Sequence, residues 1–129
     1  MQLGRLALTF VAVHFFLYGC GMKTEVPIQA EDIRFCSDAD TTVRTVRSMA
    51  EEKQLSFHYG THAADYGKQT TFRLIGRGFE LELFNSMSQG DYTLRVYKTD
   101  GGDTRVAARA FADFRDEARS RLGGTCQAS

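Results

Sequence analysis

Between Leu55 and Val96 the chain places apolar residues at alternate positions in four separate stretches. Leu55, Phe57 and Tyr59 form the first set, and Phe72 and Leu74 the second. Phe79, Leu81 and Leu83 form the third, and Tyr92, Leu94 and Val96 the fourth. Successive side chains of a strand point to opposite faces, so each set predicts a strand with one buried and one wet face. Gly76-Arg77 between the second and third sets suits a two-residue hairpin turn with glycine first. That turn places Leu74 opposite Phe79 and Phe72 opposite Leu81, which keeps both apolar sets on one face. It also sets Arg73 opposite Glu80 and Thr71 opposite Glu82. Arg95 of the fourth strand can then meet Glu80 or Glu82, which predicts a charge ladder on the open face.

Helical periodicity brackets the strands. Ala39, Val43, Val46 and Ala50 recur at helical spacing, with Met49 beside them, so residues 38–53 predict one amphipathic helix. Ser37 is the expected N-cap, Asp40 takes the capping-box position, and Asp38 and Asp40 suit the positive end of the helix dipole. After the last strand, 99–103 is a turn, with Asp103 a second N-cap. Ala107, Ala110, Phe111, Phe114, Ala118 and Leu122 then give a strong helical stripe that Gly123-Gly124 ends. The order helix, four strands, helix predicts an α+β fold. It is a two-layer sandwich in which a four-stranded antiparallel meander is covered on one face by both helices. Of ten Phe and five Tyr, the seven Phe and four Tyr that follow residue 19 supply bulk for its core in the absence of Trp.

The N-terminus sets the compartment. Arg5 precedes an apolar run from Leu6 to Leu17, too short to span a bilayer, and a small residue and Cys20 follow. This layout reads as a secretory signal. Leu17-Tyr18-Gly19-Cys20 resembles the lipobox of bacterial lipoproteins, over about the first twenty residues. The resemblance implies cleavage after residue 19 and acylation of Cys20. It also implies a lipid-anchored protein of the cell envelope, with Gly21 favouring the outer membrane, facing the periplasm. Several acyl chains at about 0.8 kcal/mol per buried CH₂ hold such a protein stably on a membrane. Residues 20–35 are polar and without period, contain Pro27, and read as a lipidated tether; 36–129 form one domain. With Cys20 given to lipid, Cys36 and Cys126 are left as a pair, one disulfide in an oxidising compartment. It closes a loop of about ninety residues, worth roughly 4–5 kcal/mol in the chain-entropy model. A metal site in its place would want the CxxC spacing that is missing here.

Sixteen basic and sixteen acidic residues leave no net charge, so nothing points to nucleic acid. No GxSxG motif supplies a nucleophile. Glu80 and Glu82 share a strand face but have Arg73 and Arg95 to neutralise them, so acid–base catalysis is not expected. His58, His62 and Asp65 are the best metal candidates. Their stretch reads as strand end and loop, not as the helix that would close two histidines onto one ion. Neither enzyme activity nor a cofactor or metal is therefore expected. The open face offers Arg73, Ile75, Glu80, Glu82, Phe84, Arg95 and Tyr97, a mixture of arginine and aromatic residues typical of protein interfaces. Loops 60–69 and 86–91 are further candidate contacts. The expected function is a membrane-anchored protein-binding module, in the style of an immunity or inhibitor protein against a secreted toxin or hydrolase. The alternative is a pilotin-like accessory lipoprotein of an envelope assembly complex.

Overall fold

A computed structural model of the chain describes residues 26–64, 67–85 and 90–124. It is an α+β fold with a five-stranded antiparallel sheet and two helices. The elements run β1 (Gln29–Arg34), α1 (Ala39–Glu52), β2 (Ser56–Ala64), β3 (Gly67–Gly76), β4 (Phe79–Asn85), β5 (Asp91–Lys98) and α2 (Thr104–Ala118). A short π-helical turn, Arg119–Gly123, extends α2. The spatial order of the strands is β1-β5-β4-β3-β2, so β1 and β2 are the edges. The four strands expected from alternation are present as the meander β2 to β5.

The fifth strand corrects the expected fold. Residues 29–34, read from sequence as the end of the tether, pair antiparallel with β5 from Gln29 opposite Val96 to Arg34 opposite Asp91. The pattern missed β1 because Gln29, Glu31 and Ile33 share its helix-side face and only Ile33 is apolar. Glu31 is tolerated there because Arg115 Nη1 donates to its Oε1 at 3.3 Å and Arg119 pairs with its other oxygen. Ile33 itself is 4% exposed and belongs to the core.

One core unites the sheet face and the helices. Phe72, Leu74, Leu81, Leu83, Leu94 and Val96 from the strands cluster with Val46, Met49 and Ala50 of α1 and with Phe111, Phe114 and Ala118 of α2. These are the residues that alternation and helical stripe singled out, which is why local pattern and global burial agree here.

The β3–β4 register differs from the expected one by two residues. Leu74 lies opposite Leu81 and Phe72 opposite Leu83, with Gly76 opposite Phe79. The turn is therefore Arg77-Gly78, not Gly76-Arg77. Gly78 takes φ +87°, a conformation that L side chains resist, and a Cβ there would lie 2.7 Å from Gly102 Cα. The second glycine is the one that the backbone requires. A shift of two residues keeps every side chain on its face, so the core prediction survives the error.

Two boundaries are also corrected. Asp38, not Ser37, caps α1, its carboxylate accepting from Thr41 N–H at 2.7 Å. The stretch 60–69, expected as a loop, continues β2 and β3 in its described residues 60–64 and 67–69, pairing Gly60 with Thr71 and Ala64 with Gly67. At the other end of α1, Gln54 sits at φ +59° while Leu55 N–H bonds to Ala50 C=O at 2.8 Å, a Schellman closure without its usual glycine.

Cys36 is disulfide-bonded. Cys20 and Cys126, like Asp65, Tyr66 and 86–89, lie outside the described residues. Cys36 N–H donates to Leu122 C=O at 2.9 Å, and its Sγ rests against the Gly123 carbonyl. The start of α1 is thus fastened to the end of the α2 extension.

Candidate functional site

The sheet's other face is built in rows across the strands. Reading the registers across the sheet gives Tyr97, Glu80, Ile75 and Ser56 in one row. The next holds Ala30, Arg95, Glu82, Arg73 and His58, and the third Asp32, Thr93, Phe84, Thr71 and Gly60. All seven residues expected to form the open face lie in these rows. The structure brings them together because the two-residue shift at Arg77-Gly78 preserves their side of the sheet.

The charge ladder is present with its expected partners, one of them in altered geometry. Arg95 Nη1 meets Glu82 Oε1 directly across the strands at 3.1 Å. Arg73 lies opposite Glu82, yet its Nη2 bonds diagonally to Glu80 Oε1 at 2.7 Å. That bond, and the Glu80 and Glu82 charges beyond it, raise the Arg73 pKa above its ordinary value despite partial burial, so it is a fixed cation. Glu80 is 2% exposed, which makes Arg73 a charge partner of a buried carboxylate. Tyr97 is also buried, at 7% exposed, whereas the Arg73 and Arg95 side chains retain 45% and 37%. The guanidinium carbon of Arg95 lies 5.8 Å from the Phe84 ring centre, within cation–π range.

Sequence reasoning missed the contribution of β1. Thr93 Oγ1 donates to Asp32 Oδ1 at 3.0 Å, and Arg34 pairs with Asp91 at 3.4 Å. These extend the face to a fifth strand. The signal was weak because a charged edge strand has no apolar period to detect.

Among the described residues no group of His, Cys, Asp and Glu is arranged to hold a metal. His58 is exposed on the open face opposite Arg73. Position 62 is four residues further along the same extended strand, about 13 Å away between Cα atoms, too far for one ion to join both. Among the described residues, shallow clefts open at both ends of the sheet. One, of about 700 Å³, is floored by Leu55, Phe79 and Val106 beside Arg77. The other, of about 400 Å³, lies over Asp32, Arg34 and Asp91. What the face can offer chemically is recognition: planar guanidinium donors held in place by carboxylates beside aromatic surface.

No protein-family model matches the chain, and neither the curated proteins nor the solved structures contain a significant match.

Proposed function

We propose that this chain is an envelope lipoprotein, anchored through Cys20, that binds another protein with the open face of its sheet. The carrying observation is the pairing of Arg95 with both Glu82 and the Phe84 ring, which presents a pre-ordered arginine and an aromatic side chain together. Arginine and aromatic residues dominate the energetics of protein interfaces, and ordering them before contact lowers the cost of binding. The tether's geometry supports the reading. Ile28 N–H bonds to Val96 C=O at 2.8 Å, so the chain enters the sheet at the end where β5 finishes. The paired ends Ala64 and Gly67, together with Asn85 and Gly90, lie at the opposite end of the sheet from that entry point. An immunity or inhibitor role against a secreted toxin or hydrolase is the version of this function that suits a small, stapled, tethered domain.

The test is retention of a defined partner by the immobilised full chain. Secreted and envelope extracts are passed over wild type and over Arg95→Glu and Phe84→Ser. A secreted hydrolase or toxin that is held by wild type, with at least about tenfold loss for either variant, supports the proposal. Retention that is equal for all three chains overturns the open face as the contact.

A further inference from the structure

We infer that the β2 edge is a self-association surface that pairs with β2 of a second copy, antiparallel about a two-fold axis at Gly60. The inference does not depend on the envelope function proposed above.

The hydrogen-bond phase of the sheet determines which β2 groups face outward. Phe35 N–H bonds to Gly90 C=O at 2.8 Å, extending the β1–β5 register by one pair. In an antiparallel ladder, hydrogen-bonded pairs alternate along each strand. Ile33 and Tyr92 therefore bond across β1–β5, Tyr97 and Glu80 across β5–β4, Leu81 and Leu74 across β4–β3, and Arg73 and His58 across β3–β2. On β2 the even-numbered residues bond inward to β3. The N–H and C=O groups of Phe57, Tyr59, Thr61 and Ala63 point out of the sheet.

A second β2 strand can satisfy all four of those residues in one symmetric register. Centring the axis on position 60 sets 57 opposite 63 and 59 opposite 61, so every outward donor and acceptor meets a partner. A centre at 59 or 61 leaves one of the four out. Gly60 then faces its own copy in a non-hydrogen-bonded pair, where the two backbones approach most closely.

Gly60 has no other evident purpose. It does not take a positive φ, and a Cβ built on it meets nothing within 4 Å. The chain's own fold accepts a side chain there, whereas glycine inside a strand weakens it and commonly marks the close approach of another backbone. Ser56–Ala64 also contains no Lys, Arg, Asp, Glu or Pro, so self-pairing sets no like charges opposite one another.

The experiment is site-directed cross-linking with a mild oxidant in the full chain carrying Cys20→Ser, which removes the thiol that could cross-link in place of the introduced one, read on a non-reducing gel. Gly60→Cys is expected to give a covalent dimer, because the two Cα atoms fall within disulfide range. His58→Cys is expected to give none, since its symmetric counterpart lies about 13 Å away along the strand. Equal cross-linking by both variants, no dimer from Gly60→Cys, or cross-linking of Gly60→Cys to a different protein overturns the inference. Thr61→Pro supplies a second readout. It removes an outward N–H while leaving the β2–β3 bonds in place, so it abolishes the dimer in sedimentation while the far-ultraviolet dichroism is kept. A dimer that persists in this folded variant also overturns the inference.

Discussion

The two edges of the sheet solve the same problem in different ways. Among the described residues, each leaves a row of backbone donors and acceptors without a neighbouring strand. On β1, charge is spread along the strand by Glu31, Asp32 and Arg34, Pro27 stands just before it, and Glu31 is pinned to α2 by Arg115 and Arg119. An incoming strand would have to bury or displace those charges. On β2, nine residues run without a formal charge or a proline, and Tyr59 is 45% exposed. The contrast teaches that an edge is closed by its chemistry and not by its position. It also explains why one edge is held by a buried anchor, whereas the other is available to a second chain.

The largest break in this comparison is expected at Ile33, the one apolar anchor of β1. Ile33→Ala should cost about 3 kcal/mol in denaturant unfolding, since the side chain is 4% exposed within the core. Tyr59→Ala on the opposite edge should cost about 1 kcal/mol, because half the ring is already in water. The glycines separate the edges next. Gly90 has φ +89°, and a Cβ there would lie 2.5 Å from Phe35 O, so Gly90→Ala should destabilise the β1 end by about 2 kcal/mol. Gly60→Thr should have the opposite sign, raising the stability of the monomer by about 0.5 kcal/mol while weakening self-association. Thermal melts of the two variants at low concentration check the pair of signs.

The smallest effect is a pH dependence in α1, the helix that precedes β2. Hydrogen bonds from Thr41 hold the Asp38 pKa below 3.8, and a hydrogen bond from Arg121 holds Glu52 below 4.5. A carboxylate with a lowered folded pKa stabilises fully above its unfolded value and loses that contribution as pH falls through the folded one. The melting temperature should therefore be level above about pH 5 and decline below pH 4. Asp38→Asn combined with Glu52→Gln should flatten that decline. An undiminished decline in the double variant would assign the acid sensitivity to other carboxylates.

Much of the meander was legible because its signals are local and redundant. Every residue in the apolar sets of β3, β4 and β5 is in the core, and Asp103 caps α2 as expected, accepting from Arg105 N–H at 2.7 Å. The face on which the seven lie was legible for the same reason, since parity alone assigns a strand residue to a face, whereas the burial of Glu80 and Tyr97 on it was not. Three features were not legible. β1 carries its inward carboxylate, Glu31, only because two arginines from the far end of the chain reach it. The Arg77-Gly78 turn depends on the close approach of Gly102, which no local pattern encodes. The continuation of β2 through position 64 replaces a glycine-containing stretch that reads as a loop when its pairing with β3 is unknown.

The sequence by itself determined which residues face inward, where the helices lie and that the class is α+β, because side-chain periodicity is a property of each segment alone. Only the tertiary structure decided the fifth strand, the β3–β4 register and the diagonal Arg73–Glu80 pair. Each of these depends on groups far apart in the chain, and hydrogen bonds and ion pairs choose among registers that leave the apolar pattern unchanged.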